Sequence, residues 1–241
     1  MKTPSLHDTR GAALVLALWA LALLSLMMAV VVGSVRLENR QSAYALQRTR
    51  ALLAAESGLA RVVQDLSGKT PTMIADGRRY HLTIEDAQLS LELHSERGKI
   101  DLNQVSAEDF EQVVRYLGAS PGQARRLSRE LAERRSASNP PRSVEALQLF
   151  AAMDRPLYAR LAPNLTLWTG QARPDPDLAT APLRAALKLP PPVLESPAGP
   201  LYSARIKATL PSAVSATLSV TFLLNPQAGG LQLYRVLRWQ E

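Results

Sequence analysis

Three histidines, no cysteine and a few adjacent acid pairs make up the reactive side chains of this 241-residue chain. His81 and His94 fall in stretches of alternating polarity with no third ligand nearby, so they read as strand residues rather than a metal site. Glu85-Asp86 and Glu108-Asp109 carry the groups for proton transfer, but they lie at a turn and at a helix start, where carboxylates are solvated or cap amides. There is no phosphate-binding glycine loop, no Gly-x-Ser-x-Gly and no His-Glu-x-x-His. The residues argue against an enzyme. Lack of cysteine excludes disulfides and thiolate ligands and leaves the redox compartment open. One bond is marked for chemistry done to the chain rather than by it, the peptide bond between Gly11 and Ala12. It follows Arg10 at the edge of a long apolar run.

From Gly11 to Val35 no side chain is charged for 25 residues, enough for a helix to cross a bilayer, which takes about 20. Three readings compete for residues 1–35. A secretory signal peptide has a shorter apolar region and a small-x-small site, and Val31-Val32-Gly33 or Val32-Gly33-Ser34 is a poor one. An uncleaved anchor fits the length. A leader cut on the cytoplasmic side after Gly11, leaving Ala12 as the new N-terminus, fits Arg10-Gly11 best. Arginines at 36, 40, 48 and 50 flank the far end, so counting positive charges does not set the orientation.

The helix expected from Ala12 continues to Leu66 without proline. Leu52, Ala55, Leu59, Val62 and Leu66 recur every three or four residues and mark an apolar face. Ser67-Gly68 and Pro71 end it. The period then falls to two. Tyr80, Leu82 and Ile84, then Leu89, Leu91 and Leu93, alternate with polar residues as in half-buried strands, with a turn at Glu85-Asp86.

Helical spacing returns at Ser106, whose distance to Asp109 is that of a capping box. Ser120-Pro121-Gly122-Gln123 opens a helix to about Arg135, Ser143 starts another through Phe150, and Asp154 to Leu161 forms one more. Gln171 to Pro200 reads as a proline-rich surface connection holding a short helix at Ala181–Leu187. Strands follow at 205–210, 214–224 and 231–239, the last two joined through Asn225-Pro226 and Gly229-Gly230. Strands on both sides of a helical block predict an α+β fold, one antiparallel sheet carrying inserted helices. The net charge of +7 is mostly interleaved with acids, as in Arg126, Glu130 and Arg134, which describes a solvated face better than a phosphate-binding one.

Gly98-Lys99-Ile100-Asp101-Leu102-Asn103, then Arg142-Ser143-Val144-Glu145-Ala146-Leu147 and the closing Tyr234-Arg235-Val236-Leu237-Arg238-Trp239 follow the leader in one order. Together they resemble type II secretion system protein K, the large minor pseudopilin, over nearly the whole chain. The resemblance implies a pilin-like long N-terminal helix packed on an antiparallel sheet, with an inserted SAM-like or helix-hairpin-helix-like α-helical domain. It divides the chain into a leader at 1–11, a transmembrane helix at 12–35, and a stalk with the first strands at 36–99. The inserted domain takes 100–170, and 171–241 is the connection and closing strands.

Two departures are visible. Family members are longer, and a second block of insert helices is reduced here to 171–200. Family members can also carry calcium, so calcium is possible here; no dense acidic run matches such a site, and Asp175 with Asp177 is a candidate pair of oxygen ligands. No cofactor is required. Pilin-like subunits carry a glutamate at the fifth mature position, and counting from Ala12 that position is Leu16, as in protein K. A subunit lacking this acid has no neighbour amine to meet, which suits the top of a fibre; the plain alternative is a lipid-facing leucine.

The resemblance therefore implies a tip subunit with a structural role in export of folded proteins across the outer membrane. Its partners would be minor pseudopilins I, J and H, the major pseudopilin and prepilin peptidase. The chain would be single-pass in the inner membrane with its C-terminal domain in the periplasm. Two alternatives remain: a minor pilin of a type IV pilus, and a membrane-anchored DNA-binding helix-hairpin-helix protein, with Leu117 to Gly122 as its turn. Nucleic acid is not the expected partner, because Pro121 lacks an amide and the Gly-x-Gly spacing is missing.

Overall fold

The computed structural model of the protein describes residues 8–193, 198–225 and 233–241. The chain divides into two units, Met1–Arg50 and Ala51–Glu241. The first is helical from Asp8, where α1 (Asp8–Leu66) begins. Its large apolar side chains, among them Leu14, Leu16, Trp19, Leu24, Met28 and Val35, are exposed. A helix satisfies its main-chain groups internally, which is what a hydrocarbon environment demands. Among the described residues α1 is the one helix long and apolar enough to cross a membrane.

The second unit has two cores. Its strands are β1 (Asp76–Ile84), β2 (Ala87–Ser95), β3 (Ile100–Asp101), β4 (Leu165–Thr166), β5 (Leu201–Thr209), β6 (Ser215–Leu224) and β7 (Tyr234–Gln240). Five form one antiparallel sheet in the order β1-β2-β5-β6-β7, and β3 pairs with β4 in parallel. Ile84 faces Ala87 across a two-residue turn, where Glu85 takes a left-handed φ of 52°. Alternation sends Leu89, Leu91 and Leu93, then Ala204, Ile206 and Ala208, to one face, where Ala55, Leu59, Val62 and Leu66 of α1 cover them. The approach is close: a Cβ on Gly58 would stand 2.6 Å from Leu89 and 3.2 Å from Ile206. Leu52, expected on this stripe, is only half-buried, and Ala51 takes the buried place.

Between β2 and β5 lie α2 (Ala107–Tyr116), α3 (Pro121–Ser136), α4 (Arg155–Leu161) and α5 (Ala181–Leu187). Their core includes Phe110, Val113, Leu127, Leu131, Leu147, Leu157 and Leu161. Ser106, Ser120 and Asp154 each accept the amide three residues on, at 3.0, 3.2 and 2.7 Å, and so start α2, α3 and α4. Gln123 does not turn back to complete a capping box. Its side-chain amide donates to Ala152 O and Asp154 Oδ2, both at 2.9 Å, tying α3 to the start of α4.

Two expectations are corrected. The segment after Ser143 is a 3₁₀ turn at Val144–Leu149, not an α-helix, and Ser143 makes no side-chain cap. The buried residues there are Val144, Leu147 and Phe150, a spacing of three that a 3₁₀ helix places on one face and an α-helix would fan out. The stretch 171–200 is more than a surface connection. Ala179, Leu183 and Leu187 are buried in the helical core, so α5 packs as one of its members. The glycine turn at 229–230 lies outside the described residues.

Candidate functional site

Gly11 and Ala12, the expected cleavage pair, both lie within α1, close after its start at Asp8. Leu16 is 70% exposed on the same helix. These positions are brought together by sequence adjacency alone. The structure adds a joint that sequence reasoning did not find, located at the segment Gly98–Asn103.

Immediately after β2 the chain makes a 3₁₀ turn at Glu96–Gly98, then enters β3. Ser95 Oγ donates to Ala198 O and accepts from Arg97 N at 3.3 Å. Glu96 is 1% exposed, a costly place for a carboxylate, and it pairs with the Lys99 ammonium. Lys99 Nζ also donates to Ser203 Oγ of β5 at 2.7 Å. Gly98 passes so near the backbone at Leu178 that a Cβ would sit 2.0 Å from its carbonyl oxygen. Asp101, 1% exposed, accepts from Asn103 N at 2.9 Å, Gly170 N at 2.8 Å and Thr169 Oγ1 at 3.2 Å. These contacts bind the start of the helical insert to its end and to the sheet. The only signal in the sequence was the run of small, charged and apolar residues at 98–103, which periodicity cannot interpret.

His81 is exposed opposite Ser90, and His94 lies four residues further along β2, opposite Asp76. They do not form a metal pair. Burial first, and then the nearby Lys99 charge, hold the His94 imidazole below its ordinary range. Its ring fills the space over Gly77, where a Cβ would lie 2.3 Å away.

Asp175 and Asp177 are adjacent but already engaged. Arg97 meets Asp175 Oδ2 at 3.0 Å, Asp177 N donates to Asp175 Oδ1 at 3.1 Å, and Val193 N donates to Asp177 Oδ1 at 2.7 Å. Calcium takes six to eight oxygen ligands. This pair turns its oxygens to an arginine and to amides, and no group of three acidic or histidine ligands occurs among the described residues.

The α2–α3 turn is similarly occupied. Gly118, at φ +103°, donates its amide to Arg115 O at 3.0 Å, and Ala119 N donates to Val114 O at 3.2 Å. The Arg160 guanidinium lies against Gly118 and donates to Leu117 O at 2.7 Å. Amides spent on closing a helix end are not offered to a phosphate.

No family model matches the chain, and no curated protein matches it. Among solved structures it is similar to a chain of the GspK–GspI–GspJ complex of the type 2 secretion system from enterotoxigenic Escherichia coli. Identity is 13% and the TM-score is 0.61, covering 80% of this chain and 95% of that one. The long N-terminal helix, antiparallel sheet and additional helices of this chain are therefore an α+β, GspK-like pseudopilin fold.

Proposed function

We propose that the protein is a minor pseudopilin of a type II secretion system, with a structural rather than catalytic role in exporting folded proteins. The observation that carries this reading is the likeness to the GspK–GspI–GspJ structure across 95% of that chain. Residues 12–35 of α1 serve as the single inner-membrane span, and the domain beyond them lies in the periplasm. Prepilin peptidase removes residues 1–11 after Gly11. Counterparts of pseudopilins I, J and H and the major pseudopilin are its partners, the first two by analogy with the complex in which the similar chain was solved. Leu16, apolar where a charged side chain in lipid would need a partner, suits a subunit with no neighbour above it. The helical insert at the fibre end then blocks further stacking.

The intact mass of the membrane-extracted protein tests the first step. It should begin at Ala12 in a host that has the peptidase; retention of the leader, or cleavage near Ser34, overturns the reading. Fibre length tests the tip position. Graded overproduction should shorten pseudopili, because excess caps start more fibres from a fixed pool of major subunit. Antibody to the insert should mark one end of each fibre, and labelling along the whole length would leave an ordinary minor pilin. The engaged amides of Gly118 and Ala119 weigh against the DNA-binding alternative.

A further inference from the structure

A cleft of about 840 Å³ opens between α2 and α5, away from the sheet. Asp109, Gln112, Arg115 and Tyr116 form one wall, and Ala186 with Leu187 the other. One charge pair is internal: Arg173 Nε meets Asp109 Oδ2 at 3.0 Å, and its guanidinium also donates to Leu187 O at 3.2 Å. That bridge holds the two walls together. The remaining rim cations, Arg115 and Lys188, are exposed and have no acidic partner among the described residues. Tyr116, 55% exposed, lines the same cleft. The cleft thus presents two positive charges without an ion-pair partner among the described residues, an aromatic ring and a wall of small apolar side chains.

We propose that this cleft is a docking groove for an extended acidic segment of another protein. It is too open to enclose a small molecule, which binds where most of its surface is covered. The stretch of α2 from Asp109 to Tyr116 rises about 10 Å, the length of roughly three residues of extended chain. Carboxylates of such a segment reach Arg115 and Lys188, and its apolar side chains meet Tyr116 and the Ala186–Leu187 wall. Exposed cations steer and select an acidic partner more than they tighten it, so affinity depends strongly on salt.

Fluorescence anisotropy of the full-length protein in detergent micelles tests the groove, with a labelled hexapeptide alternating glutamate and leucine as the probe. Binding is expected at low salt and should be lost when lysine replaces glutamate in the probe. The pair Arg115→Gln and Lys188→Gln should weaken binding about tenfold, as two exposed ion contacts of about 0.7 kcal/mol each imply. Tyr116→Ala should weaken it about threefold. The pair Arg205→Gln and Lys207→Gln, which removes the same charge from the open face of the sheet, should change nothing. Equal loss in both pairs would mean that bulk charge alone attracts the probe and would overturn the proposal. So would equal binding of the lysine probe, a measurement that needs no variant to fold. Full displacement of the peptide by an equimolar thymidine oligonucleotide would make the groove a nucleic-acid site. Probe-independent self-association abolished by the Arg115 and Lys188 changes would make it a contact between copies.

Discussion

Glu145, in the 3₁₀ turn of the insert, is ion-paired with Arg238 of β7, 93 residues later. Gln240 donates to the same carboxylate oxygen at 3.1 Å. The two runs that carried much of the resemblance, 142–147 and 234–239, therefore meet in space. Both partners are about one-third exposed, so a double-mutant cycle on Glu145→Gln and Arg238→Met should give a coupling of about 0.5–1 kcal/mol in urea unfolding. A coupling near zero would show that the insert is held by the joint at 96–101 instead.

That joint leaves no room at Gly98. Gly98→Ala places a methyl against Leu178 O and should cost about 1–3 kcal/mol, because backbone on both sides has to move. Loss of the Asp101 contacts in Asp101→Ala strands the amides of Asn103 and Gly170 and should cost a similar amount. An unchanged denaturation midpoint in either variant would show that the segment is not a joint.

Leu59 is 2% exposed between α1 and the sheet. Leu59→Ala should lower stability by about 2–5 kcal/mol, the range for a buried leucine that leaves a cavity. Leu53, 55% exposed on the opposite side of the helix, should tolerate the same change with little loss. Thermal or urea unfolding distinguishes the two.

Acid should unfold the second unit in two stages. Burial opposes ionisation of His94 and holds its folded value below 6.5, so below pH 6.5 the unfolded chain binds the extra proton and stability falls. Four carboxylates act lower. Arg78 holds Asp76 down and the Leu157 amide holds Asp154 down; burial is outweighed at Asp65 by bonds from Thr72 and Met73, and at Glu145 by its own amide and then by Arg238, Ser143 and Gln240. Their depressed folded values give stability that is full above the ordinary carboxylate range and is lost as pH falls through it. His94→Gln should flatten the slope just below pH 6.5 and leave the acid limb, as read by midpoints across pH.

Residue periodicity determined the elements whose stability is local. A run of 25 uncharged residues closes its main-chain hydrogen bonds within itself as a helix, alternation over 80–84 and 89–93 half-buries as strands, and Ser106 and Ser120 start helices by accepting the amide three residues on, as Ser143 does not. α5 at Ala181–Leu187 was legible for the same reason. What the tertiary structure decided are the features set by distant neighbours. Spacing of three at Val144, Leu147 and Phe150 became a 3₁₀ turn because all three face one core. Asp175 and Asp177 look like oxygen ligands in the sequence, yet Arg97, 78 residues earlier, takes one of the carboxylates. The pairing of Glu145 with Arg238 and the cleft between α2 and α5 exist only after residues far apart in sequence are packed side by side. Local pattern encodes which face of an element is apolar; it does not encode which charge will stand opposite, because that depends on how the faces close on one another.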